Sequence, residues 1–305
     1  MSMGPPVVAV VGTTAAGKSD LAVKLALALG GEVVNADSMQ IYRGMDIGTA
    51  KTPVEHRRGV KHHLLDILDV VEPATVAQFQ GWAREAIFDC LRRGVPPVVV
   101  GGSALYLRAV LDEFSFPGTD PDIRVRLETD LVAVGAVSMH ERLRTVDPVA
   151  AATILPGNAR RIVRALEVVE LTGQPFRATL PRYVYAFERV IQIGIDLPRE
   201  VTDERIAARA DRMWHAGFVD EVRRLERAGL REGRTASRAL GYRQVLDMLA
   251  RSIDETAAQR ETVRLTRRFA RRQATWFRRD PRIRWLSFDT ADLTADALDA
   301  VRSIG

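Results

Sequence analysis

Five apolar residues, Val7-Val8-Ala9-Val10-Val11, run directly into the octapeptide "GTTAAGKS", Gly12 to Ser19. The octapeptide fits G-x-x-x-x-G-K-[ST], a phosphate-gripping loop between a buried strand and a helix. Behind it Leu21, Leu25, Ala28 and Leu29 recur at helical spacing until Gly30-Gly31. A strand, a glycine turn and a helix in this order place the loop at the carboxyl edge of a parallel sheet. There the backbone N–H groups of Gly12, Thr13, Thr14, Ala15, Ala16 and Gly17, with the positive end of the helix, form an anion cradle. Lys18 adds a mobile cation, and the Ser19 hydroxyl is placed to reach Mg²⁺. The cradle specifies phosphate groups and not adenine, so a diphosphate ester fits it as well as ATP does.

The alternation continues. Glu32 to Asp37 and Pro96 to Gly102 read as further strands, separated by an amphipathic helix marked by Phe79, Ala83, Ala86, Ile87, Cys90 and Leu91. Beyond Phe116-Pro117-Gly118 the pattern changes. Ile123, Leu127, Leu131 and Val134 keep a helical period, a second helix spans Ala159 to Leu171, and no strand is read between about 118 and 186. Val190 to Asp196 returns to strand. Helices are expected over Thr202 to Ala228, Tyr242 to about Ala250 and Glu255 to Phe277, and a last strand at Trp285 to Phe288. The expected fold is α/β, a parallel-sheet P-loop core (1–117 and 189–305, the latter with basic C-terminal helices) interrupted by a helical insertion domain (118–188).

Bulk properties narrow the class. With 305 residues, 47% hydrophobic and 27% charged, the chain can bury a full core. No stretch approaches the roughly 18 consecutive apolar residues of a membrane span. The N-terminus lacks the layout of a signal peptide, and the single cysteine, Cys90, cannot form an internal disulfide. A cytoplasmic protein without a membrane partner is expected, and a monomer. The net charge of +5 is modest, but Arg264, 267, 268, 271, 272, 278, 279, 282 and 284 face one acid, Asp280, in a single block. Such blocks often meet phosphate backbones, although a solvated helix face is an equal reading.

The third strand ends in Gly101-Gly102-Ser103, without the acid that organises Mg²⁺ and water in P-loop ATPases. The strand-end acid is instead Asp37. Because ligands of parallel α/β sheets lie beyond the carboxyl strand ends, Asp37, Ser103 and the first loop are expected at one crevice. Asp37 there is a metal organiser, a general base or a turn aspartate.

Taken together, "GTTAAGKS", "NADSMQIYRGMDIGTAK", "KHHLLDILD", "GGSALYLRAV", "NARRIVRALEV", "GFVDEVRRL", "ALGYRQ" and "TRRFARRQATWFRR" resemble the tRNA dimethylallyltransferase (tRNA isopentenyltransferase) family over nearly the whole chain. The resemblance implies a nucleotide-kinase-like P-loop core with a tRNA-gripping insertion. It also implies transfer of a dimethylallyl group from dimethylallyl diphosphate to the exocyclic amine of the adenosine just after the tRNA anticodon. The cradle with Lys18 and Ser19-held Mg²⁺ would then stabilise the departing diphosphate, and Arg223 matches a diphosphate-contacting position. Asp37 would be the base toward the amine, with Ser103 beside it where the family usually has threonine. Asp37, Ser38, Met39 and Gln40 would line the tRNA end of a channel, Gln40 having donor and acceptor groups suited to an adenine edge. Arg124, Arg160, Arg161 and Arg164 would meet the tRNA. Thr13 and Ala16 stand where the family commonly has proline and serine, so the loop's hold rests on its backbone.

Tyr242 reads either as a stacking platform or as a core residue. Phe269, Gln273 and Trp276 form a narrow stripe on the basic helix, expected to dock on the core while the flanking arginines face phosphate. His62-His63 is not read as a metal site, because adjacent strand residues point to opposite faces. Cys90, Trp82 and Trp214 read as core. Two rivals remain: a P-loop small-molecule or nucleotide kinase, which lacks "DSMQIYRGMDIGTAK", and a non-catalytic P-loop RNA-binding protein, which has no need of Asp37 at a strand end.

Overall fold

The computed structural model describes residues 4–114, 116–176 and 183–304. Met1 to Met3, part of the stretch read for a leader, and 177–182 of the expected insertion lie outside the described residues. Six strands, β1 (Val7–Val11), β2 (Glu32–Asn35), β3 (His62–His63), β4 (Pro97–Val100), β5 (Val190–Asp196) and β6 (Ile283–Ser287), form one sheet in the order β3-β2-β4-β1-β5-β6. Every pairing is parallel. The α-helices of the described residues are α1 (Lys18–Leu29), α2 (Val76–Arg92), α3 (Ala104–Leu111), α4 (Pro121–Val146), α5 (Pro148–Thr153), α6 (Ala159–Thr172), α7 (Arg199–His215), α8 (Phe218–Arg227), α9 (Tyr242–Leu249), α10 (Glu255–Phe277) and α11 (Leu293–Arg302).

The pleat of β1 explains its continuous apolar run. Val7, Ala9 and Val11 join a core with Phe79, Leu107, Phe218 and Phe277 on one face of the sheet. Val8 and Val10 join Leu21, Leu25, Ala297 and Val301 on the other. From β1 the chain passes to β2, and from β4 it eventually returns as β5 on the far side of β1. Neighbouring strands thus connect in opposite directions, which opens a crevice at their carboxyl ends.

Contacts divide the chain into two compact units, Met1–Asp112 with Tyr185–Gly305, and Glu113–Val184. In the first, Asp112 pairs antiparallel with Tyr185. Arg282 seals this neck by donating to Asp112 Oδ1 at 2.8 Å and lying 4.0 Å above the Tyr185 ring. The second unit packs α4, α5 and α6 around Leu127, Met139, Leu143, Ile162 and Leu166.

The structure adds helices α3, α5 and α11, which the sequence reading does not name, starts β6 at Ile283 rather than Trp285, and departs from that reading in three further details. The two-residue β3 was not counted among the strands. The helix expected over 202–228 breaks at Gly217, whose φ of 91° is left-handed, so α7 and α8 are separate. And α4 kinks at Gly135 (φ 80°, ψ 166°).

Candidate active site

The phosphate loop leaves β1 at the crevice and enters α1 through Gly17. Lys18 Nζ donates to the Thr13 carbonyl at 2.7 Å. Burial pushes its pKa down to about 8, with the Asp37 carboxylate pulling upward and Arg209 downward. Arg209, on α7, donates to Thr14 Oγ1 at 3.2 Å, and Arg205 one turn earlier reaches the Ala15 carbonyl at 3.4 Å. Burial lowers the Arg209 pKa and the Asp37 charge opposes it; the hydrogen bond to Thr14 sets the guanidinium over the cradle.

Asp37 follows β2 by two residues. Asn35 fixes it, accepting from the Asp37 N–H at 3.0 Å and donating to the Asp37 carbonyl at 3.1 Å and to Leu64 at 3.0 Å. Asp37 Oδ1 accepts from the Met39 N–H at 2.8 Å, a local turn that orients the carboxylate. The turn-aspartate reading is therefore true of one oxygen, while the other lies outside that turn.

Two cavities meet at this carboxylate. One, of about 280 Å³, is lined by Ala15 to Ser19, Gln40 and Thr49. The other, of about 380 Å³, is lined by Ser38, Met39, Ser103, Ile206, Met213 and Leu240 among others. Thr14, Asp37, Thr49, Gly102, Arg209, Phe269 and Gln273 line both. Asp37, Ser103, Ser38, Met39 and Gln40 thus gather round the phosphate loop. The Gln40 amide donates to the Thr49 carbonyl at 3.1 Å, so its donor end is engaged within the motif.

That motif is held by buried ionic groups. Lys51 donates to the Tyr42 carbonyl at 2.9 Å, to Asp46 at 2.6 Å and to Asp66 at 2.5 Å. Glu221, 1% exposed, accepts from the N–H groups of Asp46 (3.1 Å), Ile47 (2.7 Å) and Gly48 (3.1 Å), and from the Tyr242 hydroxyl (2.7 Å). A Cβ on Gly48 would sit 2.3 Å from the Phe218 ring and 2.4 Å from that of Tyr242, so only glycine lets the loop close on them.

Other expected site residues lie elsewhere. Arg223 is exposed on α8, pairs with Asp220 at 2.8 Å and lines neither cavity. The inward charged residue of "GFVDEVRRL" is Glu221, and the arginine at the cradle is Arg209. In the helical unit, Arg124 and Arg164 both hold the buried Glu167, Arg164 at 2.7 Å, and Arg164 also donates to the carbonyls of Pro117 (2.6 Å) and Gly118 (3.0 Å). Together they draw the Glu167 pKa down against its burial. Arg160 and Arg161 are exposed on α6.

Tyr242 is fully buried, so the core reading holds. On α10, Gln273 and Phe277 are buried but Trp276 is 44% exposed, a departure from the expected stripe. The arginine block also divides. Arg268, Arg271 and Arg272 are exposed, Arg264 and Arg278 are exposed but pair with Glu261 and Asp196, and Arg282 pairs with Asp280 and Asp112. His63 meets Glu32 at 2.6 Å, with Cys90 3.5 Å from the same carboxylate. These three ligand atoms lie within 4.8 Å of one another. Arg93, through both guanidinium NH₂ groups at 2.8 Å, also occupies Glu32 and draws its pKa down to about 2. No helix of the described residues is long and apolar enough to cross a membrane.

Sequence reasoning had no access to Arg209 or Glu221 as site residues. The available signal was a charged residue on an apolar stripe: Arg209 falls between the buried Ile206 and Ala210, and Glu221 between the buried Phe218 and Val222.

Known proteins are similar to this chain in sequence and fold. A family model described as IPP transferase matches residues 40–280, and one described as isopentenyl transferase matches 5–73. The tRNA dimethylallyltransferase of Salinispora arenicola is 62% identical over 97% of this chain and 86% of its own length. That of Streptomyces coelicolor is 61% identical over 96% and 95%. The crystal structure of a full-length tRNA isopentenylpyrophosphate transferase from Bacillus halodurans superposes with a TM-score of 0.71 at 38% identity, covering 98% of this chain and 95% of that one. A eukaryotic dimethylallyltransferase, solved acting on tRNA, reaches a TM-score of 0.83 at 25% identity over 97% and 77%. With its sheet order, its phosphate loop and the carboxylate between two cavities set beside these relatives, the chain belongs to the tRNA dimethylallyltransferase family.

Proposed function

We propose that this protein transfers a dimethylallyl group from dimethylallyl diphosphate to the N6 amine of the adenosine 3′-adjacent to the anticodon in tRNA. The observation that carries this reading is the shared boundary of the two cavities: Asp37 lines both the phosphate cradle and the larger space beside Ser103. A group-transfer enzyme with an anionic leaving group and a weak nitrogen nucleophile needs this order of donor site, base and acceptor site.

In the mechanism, the diphosphate lies against Lys18, Arg209 and the loop N–H groups beyond Thr14. As the allylic carbon–oxygen bond breaks, charge accumulates on the bridging and terminal oxygens, where these fixed donors lower the barrier. Loss of one such donor typically costs on the order of 10²–10³ in rate. The adenine enters the larger cavity after extrusion from the anticodon loop, at a cost of a few kcal/mol. Its amine attacks the carbon as Asp37 takes the amine proton, and Ser103 hydrogen-bonds beside it. The Ser19 hydroxyl, an oxygen donor in the phosphate cradle, suits Mg²⁺, which keeps several waters and takes few protein ligands. When bound it would neutralise diphosphate charge. The exposed arginines of α10 and of α6 would meet phosphates of the anticodon arm. One chain lines both cavities, which supports action as a monomer, and we place the reaction in the cytoplasm, where tRNA is met.

The test is transfer of radiolabelled dimethylallyl diphosphate, with Mg²⁺, to unmodified tRNA carrying adenosine after the anticodon. The same tRNA with guanosine there serves as control, and each reaction is run with and without ATP. Label on the adenosine tRNA alone, independent of ATP, is expected. Absence of label from both would overturn the reading, and an ATP-dependent phosphoryl transfer would revive the kinase alternative.

A further inference from the structure

Gln273 is 6% exposed and sits in the last turns of α10, the most basic helix of the described residues. Its amide is used at both ends. Oε1 accepts from the Thr14 N–H at 2.9 Å, and Nε2 donates to the Gly102 carbonyl at 2.7 Å. Thr14 belongs to the phosphate loop and Gly102 immediately precedes Ser103. These partners lie 259 and 171 residues away along the chain. A Cβ at Gly102 would stand 2.5 Å from Gln273 Nε2, so the glycine is what allows the amide to approach. The side chain lines both cavities.

Resting on the prenyl-transfer reading, we infer that Gln273 is a positioning residue: its planar amide sets the distance between the diphosphate loop and the Ser103 loop, and so between the leaving group and the nucleophile. Three features support this. The amide has a fixed length and two ends of opposite polarity, and here each end meets its complement, so the two loops are held at one separation. The Thr14 N–H is committed to Gln273 rather than to an anion, so it anchors the cradle while later N–H groups of the loop face the phosphate. And the span is carried by α10, whose Arg260 and Arg271 line a separate groove with α7, where Arg264 is paired with Glu261 and Arg267 with Asp203. RNA phosphates drawn to that groove would therefore act on the helix that sets the geometry of chemistry.

The experiment compares wild type with Gln273→Met, Gln273→Glu and Gly102→Ala. It measures kcat and KM for dimethylallyl diphosphate at saturating tRNA, well below each protein's Tm, and tRNA Kd separately. Gln273→Met keeps the shape and removes both hydrogen bonds. Misplacing reacting groups by about 1 Å costs on the order of 10²-fold, so its kcat/KM should fall by about 10- to 100-fold with tRNA Kd within about twofold of wild type. Gln273→Glu places a carboxylate against the Gly102 carbonyl at neutral pH and is impaired more. On acidification the neutral carboxyl regains a donor for Gly102 and an acceptor for Thr14, so its deficit relative to wild type shrinks while that of Gln273→Met stays constant. Gly102→Ala, which pushes the amide aside from the other partner, lowers kcat/KM in the same way, and its loss is not additive with that of Gln273→Met. An active wild type with Gln273→Met within about twofold of it, a pH-independent Gln273→Glu deficit, or fully additive losses would each overturn the inference alone. A wild type that transfers no label removes the prenyl-transfer reading and this inference with it.

Discussion

Glu221→Gln tests how the signature loop is held. The carboxylate accepts four hydrogen bonds, from the N–H groups of Asp46, Ile47 and Gly48 and from the Tyr242 hydroxyl. Glutamine has the same shape but one acceptor oxygen. Placed at the Oε2 position, that oxygen keeps Asp46 and Ile47, and the amide NH₂ then faces Gly48 and Tyr242. The phenol can turn and accept, whereas the Gly48 N–H cannot. One buried donor loses its partner and the others lose charge assistance. Hydrogen bonds to charged groups contribute about 1.5–3 kcal/mol and an orphaned buried donor costs about 1–3 kcal/mol, so a loss of about 3 kcal/mol is expected. For a unit of this size each kcal/mol moves Tm by about 2–4 °C, giving a fall of about 6–12 °C by differential scanning calorimetry. Tyr242→Phe, which removes one of the four bonds, should cost about 1 kcal/mol. A Glu221→Gln protein that melts within about 2 °C of wild type would refute the reasoning, since that change corresponds to less than one ordinary hydrogen bond.

Further outcomes are expected at the cradle. Lys18 has a pKa of about 8, so in the free protein it is charged below that pH and neutral above it; kcat/KM for the prenyl donor should fall as pH rises through about 8. A bound diphosphate raises the Lys18 pKa, so kcat should hold level over the same interval, and a kcat/KM that stays flat through that pH would exclude Lys18 from donor binding. Asp37→Asn keeps an acceptor for the Met39 N–H and removes the base; kcat should fall by ~10²–10⁴ with little change in tRNA Kd, and matching losses in both would make Asp37 a binding group instead. The Thr13 hydroxyl is buried with no hydrogen-bond partner; Thr13→Val should raise Tm by about 2–4 °C, a gain of about 1 kcal/mol, and a lower melting point would show that the hydroxyl is solvated after all.

Local chemistry was readable in the sequence, and long-range partners were not. The strand, loop and helix around "GTTAAGKS" follow from short-range preferences, and α10 runs from Glu255 to Phe277 as its periodicity predicts. Asp37 and Ser103 could be placed because both follow strands of a parallel sheet, whose carboxyl ends share one edge. The break at Gly217 was hidden because the apolar period continues across it, so only the backbone turn separates α7 from α8. The edge strand His62–His63 is too short to carry an alternation. Arg223 and Glu221 are two residues apart on a helix and therefore face different ways, and choosing between them requires knowing which face α8 buries. Arg209 and Gln273 act through contacts made across 195 and 259 residues of chain, respectively, to reach Thr14; no window of sequence contains both ends.

The neck at Asp112 and Tyr185 has its own consequence. The chain departs from and returns to the sheet unit at two backbone-paired residues, under the guanidinium of Arg282. The seventy or so residues between begin and end at a fastened point, and because closure entropy grows only slowly with loop length, their length can change at little cost to closing the sheet. A protein in which a short glycine-containing turn joins Asp112 to Tyr185 would keep β1, β4, β5 and the phosphate loop in register. The helical segment is a separable attachment, able to change in length while the sheet keeps its register.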